Sequence, residues 1–479
     1  MPDRATLTAR YLDEVAYRGA RGSELLNVMP TTGMLAAKYQ RRYLTRPLFI
    51  GRAECDSLNS DLQQVRSALV SLPDRLYGGD LPAFARAAGM TDDQAEAVLR
   101  SRAGQVTQLA RADLYPETSG LRLLEFNMGS GVAGIDNADI CRAMLRHPVL
   151  KDFARAHRLH YVDTMREQVS MIFGETGFAP GSVPMMAVAD WPDHYRIIGP
   201  FLHKIARRWR ALGLDAHACH IGELKASGGR VRLRGRPVDI IFRIFLIEHL
   251  LEPEGHALMD PVIDAVARGE VTMFTPLDSE LYGSKAPLAM LSDDANRHLF
   301  TAAELAAFDR VLPWTRMARP GPVTLEDGRT VDLLDYGIGH ADDLVLKPTL
   351  LHGGLGVLPG WHRDISARQW RDRLTSAMGG PYVIQRRIRP DPELCPGESG
   401  QPVPWIVTWG VFTLPAGYGG VFARAYPAGS GLEVARAGSG LLVGCCLAQQ
   451  PDRPAANAAA TGPETLPQPQ PALVPGAQA

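Results

Sequence analysis

Apolar residues recur at intervals of three and four in two early stretches, SDLQQVRSALVSLPDRLYGG and TDDQAEAVLRSRAGQVTQLARA. That spacing lays one apolar stripe along a helix, so residues 1–110 are expected to be mainly helical. ADLY and LRLLEFN then flank the turn-rich PETSG, which is a hairpin signal. A long helical stretch is expected over residues 136–173.

The pattern changes after residue 181. SVPMMAVAD is a short apolar strand, and DHYRIIGPFLHKIARRWRALG an amphipathic helix closed by Gly213. LDAHACHI is a second strand. ELKASGGRVRLRGRPVDIIFRIF reads as a hairpin with a Gly-Gly turn, followed by a buried strand. Such alternation predicts an α/β unit with parallel pairing. Residues 285–450 mix a helix (SARQWRDRLTSAM) with strands (DDLVLKP, PYVIQRRI, VPWIVTWGVFTL and GGVFARAYP). From residue 451 the chain is rich in Pro, Ala and Gln without apolar periodicity, which predicts a disordered tail.

Composition narrows the function classes. Lys and Arg total 51 and Asp and Glu 52, so no overall charge argues for nucleic acid or an anionic membrane. The start, MPDRATLTARYLDEV, lacks the apolar core of a secretory signal. No apolar run is long enough for a membrane span; VDIIFRIFLIEHLL, the nearest, is interrupted by Arg243. The six cysteines form no CxxC pair, so free thiols in a reducing cytoplasm are expected. Cys445-Cys446 reads as buried strand.

Gly129-Ser130-Gly131-Val132-Ala133-Gly134 matches the Gly-x-Gly-x-x-Gly pattern of dinucleotide folds. That fingerprint needs an apolar strand before it and a second strand, ending in an acid, about 20 residues later. Here Glu125 and Asn127 end the preceding strand, and helix follows helix. The glycines read as a loop leaving a strand. No Gly-x-Ser-x-Gly elbow and no P-loop occurs. HACHIGE, with His217, His220 and Glu223, suits a half-buried strand better than a metal site.

Asp113, Glu125 and Asn127 offer a different chemistry. If Tyr115 lies opposite Leu121, then Asp113 lies opposite Leu123 and diagonal to Glu125. Alternation puts Asp113, Leu123, Glu125 and Asn127 on one face. Carboxylates and an amide oxygen are the ligands Mg²⁺ takes. A solvated hairpin face is the plain alternative.

RADLYPETSGLRLLEFN resembles the metal-binding hairpin of circularly permuted ATP-grasp ligases, typified by glutathionylspermidine synthetase. That family carries Arg-x-Asp on one strand and Glu-(aromatic)-Asn on the next. Arg111, Asp113, Glu125 and Asn127 match it, whereas Met128-Gly129-Ser130-Gly131 departs from the family's usual turn. The resemblance implies that Asp113, Glu125 and Asn127 bind Mg²⁺ and that Arg111 contacts the reacting phosphate or the acyl-phosphate. Lys285 in GSKAPLAMLSDD and Lys347 in DDLVLKPTLLHGGLGVLPG would hold ATP phosphates. Gly353, Gly354 and Gly356 would form a closing phosphate loop, and Gln385 in PYVIQRRIRP would meet the adenine. Arg424 is carried over as a late substrate- or phosphate-positioning arginine. Arg243 and Asp239 read either as substrate contacts or as a structural ion pair.

The fold class expected is mixed α/β: an ATP-grasp fold in circularly permuted order. The implied division has a helical region at 1–110, a metal-binding half at 111–180 and a pre-ATP-grasp-like α/β substrate domain at 181–284. A lysine-bearing half follows at 285–450, then the tail at 451–479. The activity implied is a cytoplasmic ATP- and Mg²⁺-dependent ligase, joining a carboxylate and an amine on small molecules or peptides through an acyl-phosphate. A phosphotransferase on the same scaffold, or an inactive nucleotide-binding scaffold, are the alternatives.

Overall fold

The computed structural model describes residues 3–102, 106–129, 134–430 and 440–450. Residues 130–133 of the glycine motif and the tail from residue 451 lie outside them.

Two antiparallel sheets and one parallel sheet organise the molecule. The largest sheet runs in the order 442–444, 417–427, 402–414, 110–117, 120–128, with 393–396 pairing the other end of 402–414. A second antiparallel sheet orders 315–317, 382–386, 344–348, 358–359. The third is parallel: 272–274, 240–243, 185–190, 215–220. Its strand Met185–Asp190 is buried throughout, as a strand covered on both faces requires. The helix Pro192–Arg210 packs on it through Leu202, Ile205 and Trp209. The parallel α/β unit expected from the sequence is therefore present, with its hairpin turning at Gly228-Gly229, both at positive φ.

The lysine-bearing sheet has its own core. Helix Ala367–Ala377 opens with a Ser366–Gln369 capping box and turns Trp370 and Leu374 onto Leu344, Leu346 and Ile384. Full burial of Leu374 alone contributes about 1.5–3 kcal/mol.

Several expectations need adjustment. The first 110 residues are mainly helical but include a strand, Leu48–Ile50, parallel to Cys446–Gln449. Apolar periodicity cannot separate so short a buried strand from its helical neighbours. Residues 136–173 form three helices, Asn137–Met144, Pro148–Ala156 and Thr164–Thr176, separated partly by Leu159–His160, which pairs the same C-terminal strand. Pro148 begins the second helix, where its missing N–H costs nothing. Cys445 and Cys446 are buried, and all six cysteines are free thiols. No helix among the described residues is long and apolar enough to cross a membrane.

The glycine motif is explained by sterics. Gly129 and Gly134 have φ of +108° and +98°. A Cβ on Gly129 would stand 2.8 Å from Ser279 Oγ, and one on Gly134 2.2 Å from Phe422 Cγ. The next described element is a helix, Asn137–Met144, and the strand after it, Leu159–His160, is only two residues long and carries no acid. These two glycines let the chain leave the hairpin against close neighbours.

Candidate active site

The hairpin Ala110–Glu117/Gly120–Met128 turns more tightly than expected, with Glu117 opposite Gly120. Its outer half pairs Tyr115 with Arg122 and Leu114 with Leu123. A bulge then skips Leu124, and Asp113 lies directly opposite Glu125, with Arg111 opposite Asn127. The diagonal register expected from the sequence is corrected: the two carboxylates are direct cross-strand partners. Arg111, Asp113, Glu125 and Asn127 thus share one face.

Like charges placed directly opposite repel, so this pair needs cations. Asp113 has two. Arg111 grips it with Nε to Oδ1 at 2.8 Å and Nη2 to Oδ2 at 3.0 Å. Arg424 donates Nη2 to the same Oδ2 at 2.5 Å from the strand Gly417–Pro427. The Asn127 amide lies 3.4 Å from Asp113 Oδ2 and from Glu125 Oε1. Lys285 Nζ stands 3.6 Å from Glu125 Oε2. Burial alone would raise the Glu125 carboxyl, but Lys285, Lys347 and Arg424 outweigh it and hold the group well below the usual carboxylate range.

Lys347 enters from the strand Leu344–Pro348 of the second sheet. Its Nζ donates to Gln385 Oε1 at 2.5 Å and to Leu124 O at 3.3 Å. Burial lowers this ammonium to about 8, against the opposing pull of Glu125. The skipped residue of the bulge therefore supplies a carbonyl to a lysine of the other sheet. Gln385 also donates Nε2 to Thr315 Oγ1 at 3.1 Å, so both ends of its amide are engaged within the protein.

Asp113, Glu125, Lys285, Lys347, Gly353, Gly354, Gln385 and Arg424 line one cleft of about 620 Å³ between the two antiparallel sheets. Of the residues matched to the ATP and metal sites by resemblance, Arg111, Asn127 and Gly356 stand outside that lining. Arg111 is buried behind Asp113. Gly356, at φ +71°, packs against Pro348. Thr408 and Tyr426 also line the cleft, and the sequence reading missed them. Thr408 is directly opposite Arg424 in the ladder, so a polar residue within the apolar VPWIVTWGVFTL was the available signal.

The middle unit contributes no ion pair between Arg243 and Asp239. Arg243 is fully buried, with Nη1 on Glu280 Oε1 at 2.7 Å and Nε on Thr275 O at 2.6 Å. Asp239 accepts the Met185 amide at 2.9 Å. His217 pairs with Asp215 at 2.7 Å. No group of three or more His, Cys, Asp or Glu able to hold a metal occurs among the described residues.

No protein-family model and no curated protein matches the chain by sequence. Its fold is similar to that of a solved structure, a glutathione synthetase-like effector from Globodera pallida. That likeness covers 85% of this chain and 90% of the other, at 11% identity and a TM-score of 0.50. A provisionally named gamma-glutamylcysteine synthetase from Methylobacillus flagellatus KT aligns over 81% of this chain and 86% of its own, at 12% identity and a TM-score of 0.40. The chain thus has a mixed α/β fold similar to that of the Globodera pallida protein.

Proposed function

We propose that the protein is an ATP-dependent carboxylate–amine ligase with the permuted order of ATP-grasp halves. The observation that carries this reading is the convergence of Asp113, Glu125, Lys285, Lys347 and Arg424 on one cleft between two antiparallel sheets. Two acids and three cations in one cleft suit a polyphosphate carried with a divalent ion.

The donor set fits Mg²⁺. Mg²⁺ is commonly held by one or two carboxylates plus substrate phosphates. Glu125 lines the cleft and would be the leading ligand. Both Asp113 oxygens are held by Arg111 and Arg424, and Asn127 turns its Nδ2 toward the two acids, so these two would join it only on exchanging those contacts. When bound, Mg²⁺ would supply positive charge that offsets the charge of the phosphates. Lys285, Lys347 and Arg424 would bind and orient the phosphates. Arg111, behind Asp113, would orient that carboxylate and Arg424 rather than touch phosphate. Gln385 would hold Lys347 in place, because its amide is already occupied by Lys347 and Thr315. Gly353 and Gly354, at φ of +63° and +79°, would let backbone N–H groups approach phosphates and exclude water.

In the reaction, a substrate carboxylate oxygen takes the γ-phosphoryl group and ADP leaves. The amine nitrogen then attacks the acyl carbon, phosphate departs, and the nitrogen loses a proton. No nucleophilic side chain is required. The substrates are read as small molecules or peptides.

ADP formation measured with pooled carboxylates, with and without pooled amines, tests this reading. Amine-dependent ADP and phosphate release is the expected result. ADP release that yields a stable phosphorylated product, unaffected by any amine, would replace the ligase with a phosphotransferase.

Lys347 adds a pH test. It is charged below about 8 and loses its proton above that value. Nucleotide affinity is therefore expected to hold up to about pH 8 and then weaken by up to tenfold per further pH unit. Isothermal titration with Mg·ADP at several pH values checks this. A flat profile to pH 10 would remove Lys347 from the phosphate site.

A further inference from the structure

The glycine loop that follows Lys347 is tied down at two adjacent residues. Lys285 Nζ donates to Leu351 O at 2.8 Å. Next along the chain, His352 Nε2 lies 3.2 Å from Glu248 Oε1 and 3.7 Å from Glu280 Oε2. Glu248 sits on a turn of 3-10 helix, Ile247–Leu251, just past the parallel strand Ile240–Arg243. Glu280 sits on the short helix Ser279–Gly283, just past the parallel strand Thr272–Phe274. His352 therefore joins the loop of one sheet to the strand ends of another.

Leu350 anchors the start of the loop on the apolar core, and beyond it the loop is held by the polar contacts of Leu351 and His352. Leu351 and Leu355 are exposed at 40% and 63%. Gly353, Gly354 and Gly356 all hold positive φ, which gives the segment hinge points that other residues resist.

The charges leave one cation to find. Glu280 is matched by Arg243 at 2.7 Å. Both Glu248 carboxylate oxygens are buried without a hydrogen bond. A buried carboxylate in that state needs a neighbouring positive charge, and the nearest group able to supply it is His352.

We propose that His352 is a positioning residue that clasps the glycine loop to the middle α/β unit through Glu248 and Glu280, and releases it when the imidazole is neutral. The groups facing it are Glu248, Glu280 and, opposing them, Lys285; Arg243 stands behind Glu280, and His249 beside Glu248. Burial disfavours the charged imidazole, but Glu248 and Glu280 outweigh burial and Lys285, raising the group above its ordinary value. The clasp is therefore fully present below the ordinary histidine value of about 6.5 and is lost as pH rises through the raised value. That release also exposes a nucleotide cleft rests on the ATP reading above; the clasp itself does not.

Hydrogen–deuterium exchange of residues 350–357 in the ligand-free protein, corrected for intrinsic rates, tests the clasp. The wild-type loop is expected to exchange at least about fivefold more slowly near pH 5.5 than near pH 8.5. His352→Gln cannot ionise and is expected to lose that dependence. His352→Lys keeps a charge and is expected to stay protected at both values. Glu248→Gln removes the acceptor charge and is expected to flatten the wild-type profile. A wild-type loop whose corrected exchange ignores pH, or a His352→Gln loop that still follows the wild-type profile, overturns the proposal. An intact loop profile in a protein that binds no Mg·ADP at any pH supports the clasp and counts against the ATP reading.

Discussion

Glu125→Gln is expected to lower ATP turnover by on the order of 10³-fold. At about 1.36 kcal/mol per tenfold, that is roughly 4 kcal/mol of lost stabilisation. The carboxylate faces Lys285, Lys347 and Arg424, and it is ionised at any working pH. A glutamine keeps the shape and removes the one charge that balances both lysines. The second consequence is electrostatic. Lys347 already titrates near 8 with Glu125 holding its proton on. Without Glu125, burial and Lys285 act unopposed, so the lysine loses its charge nearer neutrality. The pH limit of Mg·ADP affinity should move to lower pH in this variant, a change that simple loss of a metal ligand does not produce. Titration calorimetry over the same pH series reads it. Turnover and pH limit both equal to wild type would remove Glu125 from the site.

Asp113→Asn is expected to produce the largest loss of stability, about 3–5 kcal/mol. The cause is orphaned charge. Asp113 is almost completely buried and is the shared acceptor of Arg111 and Arg424. An amide cannot receive two guanidinium forks, so both buried cations lose the charge that Asp113 supplied, with Glu125 left to offset Arg424. Urea unfolding measures the loss. The double variant Asp113→Asn/Arg424→Met should recover part of the stability, because it removes one orphan, while turnover stays lost. A single variant as stable as wild type would mean that the two arginines find other partners.

Much of this arrangement was legible in the residues. Alternation in RADLY and LRLLEFN named the hairpin, and the acid and amide at a strand end named its polar face. Register was not legible, because a bulge is a backbone event that leaves no required residue type behind. Counting back from the turn put Asp113 opposite Leu123, whereas the skipped Leu124 sets it opposite Glu125. Residue type also misassigned direction. Arg111 and Arg424 look equivalent as sequence, yet Arg424 lines the cleft and Arg111 lies behind it. Gln385 lines the cleft, as expected of a ligand-facing residue, but its contact with Lys347 had no signature in the sequence. His352, Glu248 and Glu280 gave no local signal at all. Their meeting depends on two sheets coming together, and no spacing within one segment encodes that.

The pairing of Asp113 with Arg424 also bears on how the chain is made. The two residues are 311 positions apart and belong to the same sheet, with the strand Pro402–Leu414 between them. At roughly 5–20 residues per second, a ribosome adds Arg424 about 15–60 s after Asp113. Throughout that interval the emerging hairpin carries its acids without Arg424, and one long strand edge without its neighbour. An unpaired edge is where nascent chains associate wrongly. The charged face of the hairpin would keep that edge soluble while the rest of the sheet is still being synthesised.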